Sequence, residues 1–98
     1  FGEMIAQRQS IAFTLSDMIT DIEAARMMTW EAAWRLDEKK DATHEAYLAI
    51  NFAGDMSVVV ADRAVQILGG YGYIRDYPVE LYLRNARGFG VMEGIAIV

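Results

Sequence analysis

Two features in the second half of the chain could do chemistry. Gly69 and Gly70 follow directly on a helix-length apolar pattern, and glycines leave backbone N–H groups accessible where a ribose or a phosphate approaches closely. Glu93 stands between the apolar residues Met92 and Ile95, and burial among such neighbours would raise its pKa toward that of a working base. Each feature also has a plainer explanation, since glycines commonly end helices and carboxylates favour helix N-termini.

The composition predicts one domain with more apolar surface than it can bury alone. A domain of this length, 98 residues, buries only about two thirds of the surface that its unfolded chain exposes. Its hydrophobic content is 54%, above the usual ~45–50%. We therefore expect helix faces that pack on other domains or subunits. The chain opens on Phe1-Gly2 without an initiating methionine, which predicts a processed product or an excised fragment.

Charge and residue usage exclude several classes of function. The net charge of −5 comes without a basic stripe, which argues against nucleic-acid and anionic-membrane partners. No uncharged apolar run approaches the ~20 residues that a membrane span needs. The chain contains no cysteine and a single histidine, His44, so disulfides, thiolate metal sites and other metal sites are not expected. The absence of cysteine fits a reducing compartment.

Two long helices are predicted to position these features. The first runs from about Met4 to Leu36 and carries Trp30 and Trp34 four residues apart, where they could anchor it against a neighbour. Its apolar positions recur every three or four residues, at Ile11, Leu15, Met18, Ile22, Ala25, Met28, Ala32 and Leu36. The second helix repeats that spacing at Ala46, Ala49, Ala53, Met56, Val60, Ala64 and Ile67. Its many alanines predict a close approach of the two helices.

Shorter elements complete the predicted fold. Residues 37–41 are all charged and read as a solvated connection between antiparallel helices, after which Asp41 or Thr43 caps the second helix. The aromatic stretch 71–77 is predicted to be an ordered loop, and Pro78 to take the first position of a third helix that ends near Arg87. A fourth helix is expected to begin near Met92. The fold class is all-α, an up-and-down bundle of antiparallel helices.

Several short motifs occur together along nearly the whole chain. They are Phe1-Gly2, Gln9, Ala24-Ala25-Arg26, Gln66-Ile67-Leu68-Gly69-Gly70-Tyr71-Gly72-Tyr73, Asp76-Tyr77-Pro78-Val79-Glu80, Arg84-Asn85-Ala86 and Glu93-Gly94. In this order and at this spacing they resemble the C-terminal helical domain of the acyl-CoA dehydrogenase family. Proteins of that family also have a helical N-terminal domain and a middle β domain. The resemblance implies that residues 1–98 are the third domain alone.

The resemblance also implies a reaction. Members of the family insert a double bond between Cα and Cβ of an acyl thioester of coenzyme A. Glu93 matches their catalytic base, which removes the α proton while hydride leaves the β carbon for N5 of the flavin. Met92 and Gly94, on either side of this acid, are implied to contact the acyl-CoA substrate.

The implied cofactor is FAD. Gln66, Gly69 and Gly70 match the family loop that touches the adenosine and pyrophosphate side of FAD, typically from the neighbouring subunit, and Phe1 and Gln9 match further positions near FAD. The resemblance further implies a role in fatty acid metabolism, electron transfer to an electron-transferring flavoprotein, and a homo-oligomer, either dimer or tetramer. The expected location is the cytoplasm if the source is bacterial and the mitochondrial matrix if it is eukaryotic.

The chain departs from the family pattern at a few positions, and these leave alternatives open. Ile95 stands where a threonine usually follows the catalytic Glu-Gly, and Asn85 replaces the usual aspartate after Arg84. The changes fit a divergent subfamily or a paralogue with altered chemistry. One alternative is a catalytically silent helical oligomerisation domain. The other is an acyl-CoA oxidase, in which reduced flavin meets oxygen.

Overall fold

The computed structural model describes residues 1–92, and within this range the chain forms helices and connecting turns with no β-strand. A short 3-10 helix, Ile5–Gln7, precedes four α-helices. These are α1 (Gln9–Asp37), α2 (Thr43–Leu68), α3 (Gly70–Tyr73) and α4 (Val79–Phe89). The predicted all-α class is confirmed.

The long helices α1 and α2 form an antiparallel hairpin because only residues 38–42 connect them. α4 packs on α2, and because it starts after the turn that follows Leu68 and its end lies beside residues 50–58, it runs back along α2. This up-and-down arrangement confirms the predicted bundle. The molecule measures 54 × 26 × 20 Å with a radius of gyration of 16.2 Å, whereas a compact domain of about 100 residues has one of about 13 Å. The bundle is therefore elongated and open.

The contact between helices is lined by small side chains. α1 and α2 bury some residues of the predicted stripes. The buried hydrophobic residues across the described chain are Met18, Ala25, Ala32, Ala42, Ala49, Ala61 and Ala86. Because alanine has no side chain beyond Cβ, helices that meet at alanines approach closely. The buried alanines at this contact are compatible with the predicted close approach, which stays a prediction.

The connection between α1 and α2 is fixed by polar interactions. The Asp41 carboxylate accepts hydrogen bonds from the Thr43 N–H (3.0 Å) and the Thr43 hydroxyl (2.7 Å). Asp41 thus performs the predicted capping role at the first residue of α2. The hydrogen bonds from Thr43, helped by the nearby Arg35 guanidinium, hold the pKa of this carboxyl below its usual value. Arg35 of α1 also pairs with Glu45 of α2 at 3.0 Å, so one cation ties both helices to the turn.

The prediction that the first helix runs without a break from about Met4 was wrong. The backbone is extended at Arg8, with φ −75° and ψ 126°, and α1 begins only at the next residue. Two contacts accompany the break: the Arg8 side chain pairs with Glu3 at 3.4 Å and lies 4.8 Å from the centre of the Phe1 ring. The N-terminal segment is therefore folded onto Arg8 as a separate short element.

The prediction of an ordered loop over residues 71–77 was also wrong in its first part. Gly70–Tyr73 form the short helix α3, which the absence of a side chain at Gly72 allows to pack on the end of α2. Pro78 lies directly before α4 rather than within it, and α4 extends to Phe89. The fourth long helix predicted to begin near Met92 falls outside the described residues.

Large apolar side chains remain on the surface, as the composition predicted. Within residues 1–92 no side chain is fully buried. The outward face of α1 carries Phe13 (62% exposed), Trp30 (61%) and Trp34 (52%). These fractions are far above those of core residues in a self-sufficient domain. No helix in the described range combines the length and apolar character needed to cross a membrane.

Candidate functional site

The predicted cofactor residues lie at one end of the bundle. Because α1 and α2 are antiparallel, Gln9 at the start of α1 and Gln66 near the end of α2 lie at the same end. Gly69 and Gly70 follow α2 at this end, and Phe1 is held near the start of α1 by its contact with Arg8. All five predicted residues are exposed. The structure therefore groups them on a shared, open surface.

Gly69 is the point at which the chain leaves α2 and turns into α3. Its φ of 56° and ψ of −129° form a combination that residues with a side chain rarely adopt. The Gly69 N–H donates to the carbonyls of Val65 (3.0 Å) and Gln66 (3.1 Å). Its own carbonyl accepts from the N–H groups of Gly72 (2.9 Å) and Tyr73 (3.2 Å). One glycine thus ends α2 and begins the next turn.

The space outside this turn fits the approach of a ligand to the backbone. A β-carbon built on Gly69 or Gly70 would have no neighbour within 4 Å. Within residues 1–92 the N–H groups of Gly70 and Tyr71 donate to no backbone carbonyl. The loop therefore offers accessible donors beside open space, which suits a polar group such as a pyrophosphate. The residues present are compatible with the implied FAD contact.

Tyrosines form the rim next to this loop. Tyr71 and Tyr77 pack edge to face with ring centres 5.9 Å apart, and Tyr73 is 84% exposed. Edge-to-face aromatic pairs add to the stability of a turn. Each tyrosine combines an apolar ring with a hydroxyl that water can reach. These side chains therefore suit contact with either a flat ligand or another protein.

The predicted substrate residue Met92 lies elsewhere. It borders an open cavity of about 690 Å³ between the middle of α2 and the end of α4. The other lining residues are Ile50, Asn51, Ala53, Gly54, Asp55, Met56, Ser57, Val58, Arg87, Phe89 and Gly90. This lining is mostly apolar, as a pocket for an aliphatic chain would be. The predicted catalytic residue Glu93 and the predicted substrate residue Gly94 lie outside the described residues.

Within one chain, the glycine turn at Gly69-Gly70 and the cavity beside Met92 are far apart. Met92 lies beside residues 50–58 of α2, whereas the glycine turn lies beyond the end of that helix at Leu68. At 1.5 Å per residue, this is a separation of about 20 Å along the helix axis. One chain therefore does not bring the glycine turn and Met92 to a single point.

One residue beside the glycine turn was missed by the prediction from sequence. Gly72 was not among the predicted site residues, yet it is buried where α3 meets α2. The signal in the sequence was a third glycine between two tyrosines, too close to Gly69-Gly70 to be needed as a second helix end.

His44 is exposed in the first turn of α2, and among the described side chains no group of three metal-ligating residues is present.

The conformation at Gly69 leads to a prediction about stability. In the complete polypeptide, Gly69→Ala is expected to lower the free energy of unfolding by about 1–3 kcal/mol, because alanine is strained at this φ and ψ. The measurement is the midpoint temperature of thermal unfolding. Gly70→Ala is the matched control: Gly70 is helical and has equal free space, so its midpoint should stay the same or rise. Equal midpoints for the two variants would contradict the strain argument.

Nearly the whole chain is similar to known proteins. Residues 1–96 match the family model described as acyl-CoA dehydrogenase, C-terminal domain. The chain is similar to subunit CarC of the caffeyl-CoA reductase–Etf complex of Acetobacterium woodii, with 45% identity over 98 residues, which is 100% of this chain and 26% of the relative. An acyl-CoA dehydrogenase of Bacillus subtilis is 47% identical over 94 residues, 96% of this chain and 25% of the relative.

A solved structure agrees with these sequence matches. Butyryl-CoA dehydrogenase from Megasphaera elsdenii superposes with a TM-score of 0.90 and 41% identity, covering 94% of this chain and 24% of that chain. The described helices thus share their arrangement with part of a larger protein. The chain spans about a quarter of the length of the relatives that it matches.

Proposed function

The chain belongs to the acyl-CoA dehydrogenase family, and from that premise we propose that it is the C-terminal domain of a flavin-dependent enzyme that dehydrogenates an acyl-CoA thioester between Cα and Cβ. The observation that carries the proposal is the family match over residues 1–96. It is supported by the open turn at Gly69-Gly70, where the N–H groups of Gly70 and Tyr71 donate to no backbone carbonyl of the described residues and suit a cofactor contact.

In this proposal Glu93 is the catalytic base. An α proton beside a thioester is weakly acidic, so the reaction needs a carboxylate within hydrogen-bond reach and poorly hydrated. Glu93 takes the α proton and becomes neutral. Bound FAD supplies the acceptor for the hydride that leaves Cβ. Met92 borders an apolar cavity, and with Gly94 it is proposed to position the acyl group beside Glu93.

The residues at the bundle end are proposed to hold the cofactor. Gln66 offers a side-chain amide, Gly69 leaves open space beside its backbone, and Gly70 adds an N–H that donates to no described backbone carbonyl, all toward the adenosine and pyrophosphate part of FAD. Phe1 and Gln9, at the same end, complete this surface. Since the glycine turn and Met92 lie about 20 Å apart along α2, we propose that two copies of the chain contribute to each site, the turn from one and the acid from the other.

This arrangement requires a homo-oligomer, either a dimer or a tetramer. The exposed apolar side chains of α1 give it a surface to bury. We also propose that electrons leave through an electron-transferring flavoprotein, since the similar CarC belongs to an Etf complex. The proposed role is in fatty acid metabolism, in the cytoplasm if the source is bacterial and in the mitochondrial matrix if it is eukaryotic.

The test uses the complete polypeptide purified with its cofactor. Under anaerobic conditions, a panel of straight-chain, branched and aromatic acyl-CoA thioesters is added, and the visible absorbance of the flavin is followed. At least one thioester is expected to bleach the flavin, whereas the same acyl groups as free acids leave it oxidised. A protein without flavin, or one that no thioester reduces, would contradict the proposal and favour the silent oligomerisation domain. Fast reoxidation by oxygen would favour the oxidase.

A second candidate is the same chemistry in the reductive direction. It is favoured by the relative that is 45% identical along all 98 residues and is a subunit of a caffeyl-CoA reductase complex. In that direction the protonated Glu93 returns its proton to Cα. Adding an α,β-unsaturated acyl-CoA to the chemically reduced protein and recording the recovery of the flavin absorbance measures this activity. The ratio of the two rates shows in which direction the protein transfers hydride faster.

A further inference from the structure

Gly72 occupies a place where no side chain fits. It is buried, although the residues on both sides of it are exposed. A β-carbon built on Gly72 would lie 2.5 Å from the Val65 carbonyl oxygen, 3.0 Å from the Val65 Cα and 3.1 Å from the Leu68 Cβ. Carbon atoms in good contact are about 3.5–4.0 Å from their neighbours. An alanine at this position would therefore push the backbone of α3 away from α2 by roughly 1 Å.

The Val65 carbonyl oxygen, which such a side chain would meet first, also accepts a hydrogen bond from the glycine turn. The Val65 carbonyl accepts the Gly69 N–H at 3.0 Å, and the Gly69 carbonyl accepts the Gly72 N–H at 2.9 Å. These three residues form a closed set of contacts: the end of α2 fixes Gly69, Gly69 fixes Gly72, and Gly72 rests on the end of α2. A displacement at Gly72 therefore reaches Gly69 through two hydrogen bonds.

Tyr71 adds a second constraint on α3. Its ring packs edge to face on Tyr77, 5.9 Å between centres, which connects α3 to the segment that leads into α4. α3 is thus held on one side by the bare backbone of Gly72 and on the other by an aromatic pair. A helix of one turn has little stability of its own, so these contacts decide where the turn lies.

We propose that Gly72 is a positioning residue for the cofactor loop: its missing side chain lets α3 dock on the last turn of α2 and so holds Gly69-Gly70 in the conformation that receives FAD. The inference rests on the proposed function, because that function supplies the ligand. Gly72 acts through Gly69 and does not itself touch the cofactor, since its own surface is covered by α2.

The test compares FAD binding with turnover in the complete polypeptide. Apoprotein of Gly72→Ala is titrated with FAD, and flavin bleaching by a thioester that reduces the wild type is timed at saturating FAD. The Kd for FAD is expected to rise at least about tenfold, because losing one hydrogen bond to a charged phosphate weakens binding by about tenfold or more. The bleaching rate at saturating FAD should stay within about twofold of the wild type, because the loop is proposed to hold only the adenosine and pyrophosphate part of FAD and not the flavin ring that takes the hydride.

Gly88→Ala is the matched control, because Gly88 is helical in α4 and a β-carbon there would have no neighbour within 4 Å. It should leave both the Kd for FAD and the bleaching rate unchanged. A Gly72→Ala protein that melts at a lower temperature but binds FAD with the wild-type Kd would overturn the positioning role. A wild type that binds FAD but is not reduced by any thioester contradicts the proposed function alone.

If Gly72→Ala does not fold, a milder variant tests the same inference. Leu68→Ala keeps the Cβ that Gly72 approaches but removes the rest of the side chain from the last turn of α2, which loosens the surface on which α3 docks. Its Kd for FAD is expected to rise about threefold, a fraction of the effect of the direct clash. An unchanged Kd in a folded Leu68→Ala protein would also overturn the inference.

Discussion

Glu93→Gln is expected to slow flavin reduction by about 10²–10⁴-fold in the complete polypeptide, with little change in bound FAD. The amide has nearly the shape of the carboxylate but cannot accept the α proton, and a positioned general base contributes a factor of this size. The measurement is single-turnover bleaching of the flavin by an active thioester in a stopped-flow instrument. Because only the proton acceptor is altered, the affinity for the thioester should change much less than the rate.

The control for this variant is Glu38→Gln, which makes the same change of charge at an exposed position in the connection between α1 and α2. It should reduce at the wild-type rate. A second readout follows the base directly: thioester incubated in deuterated buffer should exchange its α proton with the wild type and not with Glu93→Gln. Unimpaired bleaching by Glu93→Gln would remove this residue from the mechanism and restore the plainer explanation of a carboxylate that favours a helix start.

The 98-residue chain expressed alone is expected to associate with itself and to bind FAD weakly. Its described part buries no large side chain fully and exposes Phe13, Trp30 and Trp34 on the outward face of α1. It also presents the cofactor surface and Met92 at separate places, so that one copy offers only part of the proposed site. Sedimentation velocity over a range of concentrations, and titration with FAD, measure the two properties.

A pair of variants distinguishes the effect of losing a large apolar side chain from the effect of adding a positive charge. Trp30→Lys should shift the chain toward smaller species, because it removes a large exposed ring from α1. Ala33→Lys adds the same charge at another exposed position of the helix without removing a large apolar group, so it should change association much less. Far-UV circular dichroism checks that both variants remain helical. A yellow monomer of the isolated chain that a thioester reduces would contradict the expectation.

Periodicity was enough to predict the two long helices and part of the faces that they bury, although Leu36 and Ala46 of the predicted stripes are exposed. The spacing of Met18, Ala25 and Ala32 survives in the structure as the contact face of α1, because a helix repeats its faces every 3.6 residues whatever lies around it. The start of α1 could not be predicted in this way. Residues 4–8 carry no glycine or proline, and the break at Arg8 accompanies side-chain contacts with Glu3 and Phe1 that no local propensity encodes.

In the candidate site, too, local features were predictable from the sequence and features set by packing were not. Gly69 was predictable as a helix end because its left-handed backbone is a local requirement. Gly72 was not, since its role depends on how closely a later turn approaches Val65, and that distance is set by the packing of α3 on α2. The distance between the glycine turn and Met92 likewise follows from the length of α2 and the direction of α4, which a residue pattern does not state.

The alanine contact between α1 and α2 has a consequence for folding kinetics. Alanine loses no rotamer freedom when it is buried, and residues 38–42 are a short connection whose closure costs little entropy. Contacts between neighbouring helices in the sequence form quickly. We therefore expect this hairpin to assemble before the other elements of the domain and to persist until its apolar face is covered, a waiting period in which its uncovered tryptophans would be natural targets for chaperones.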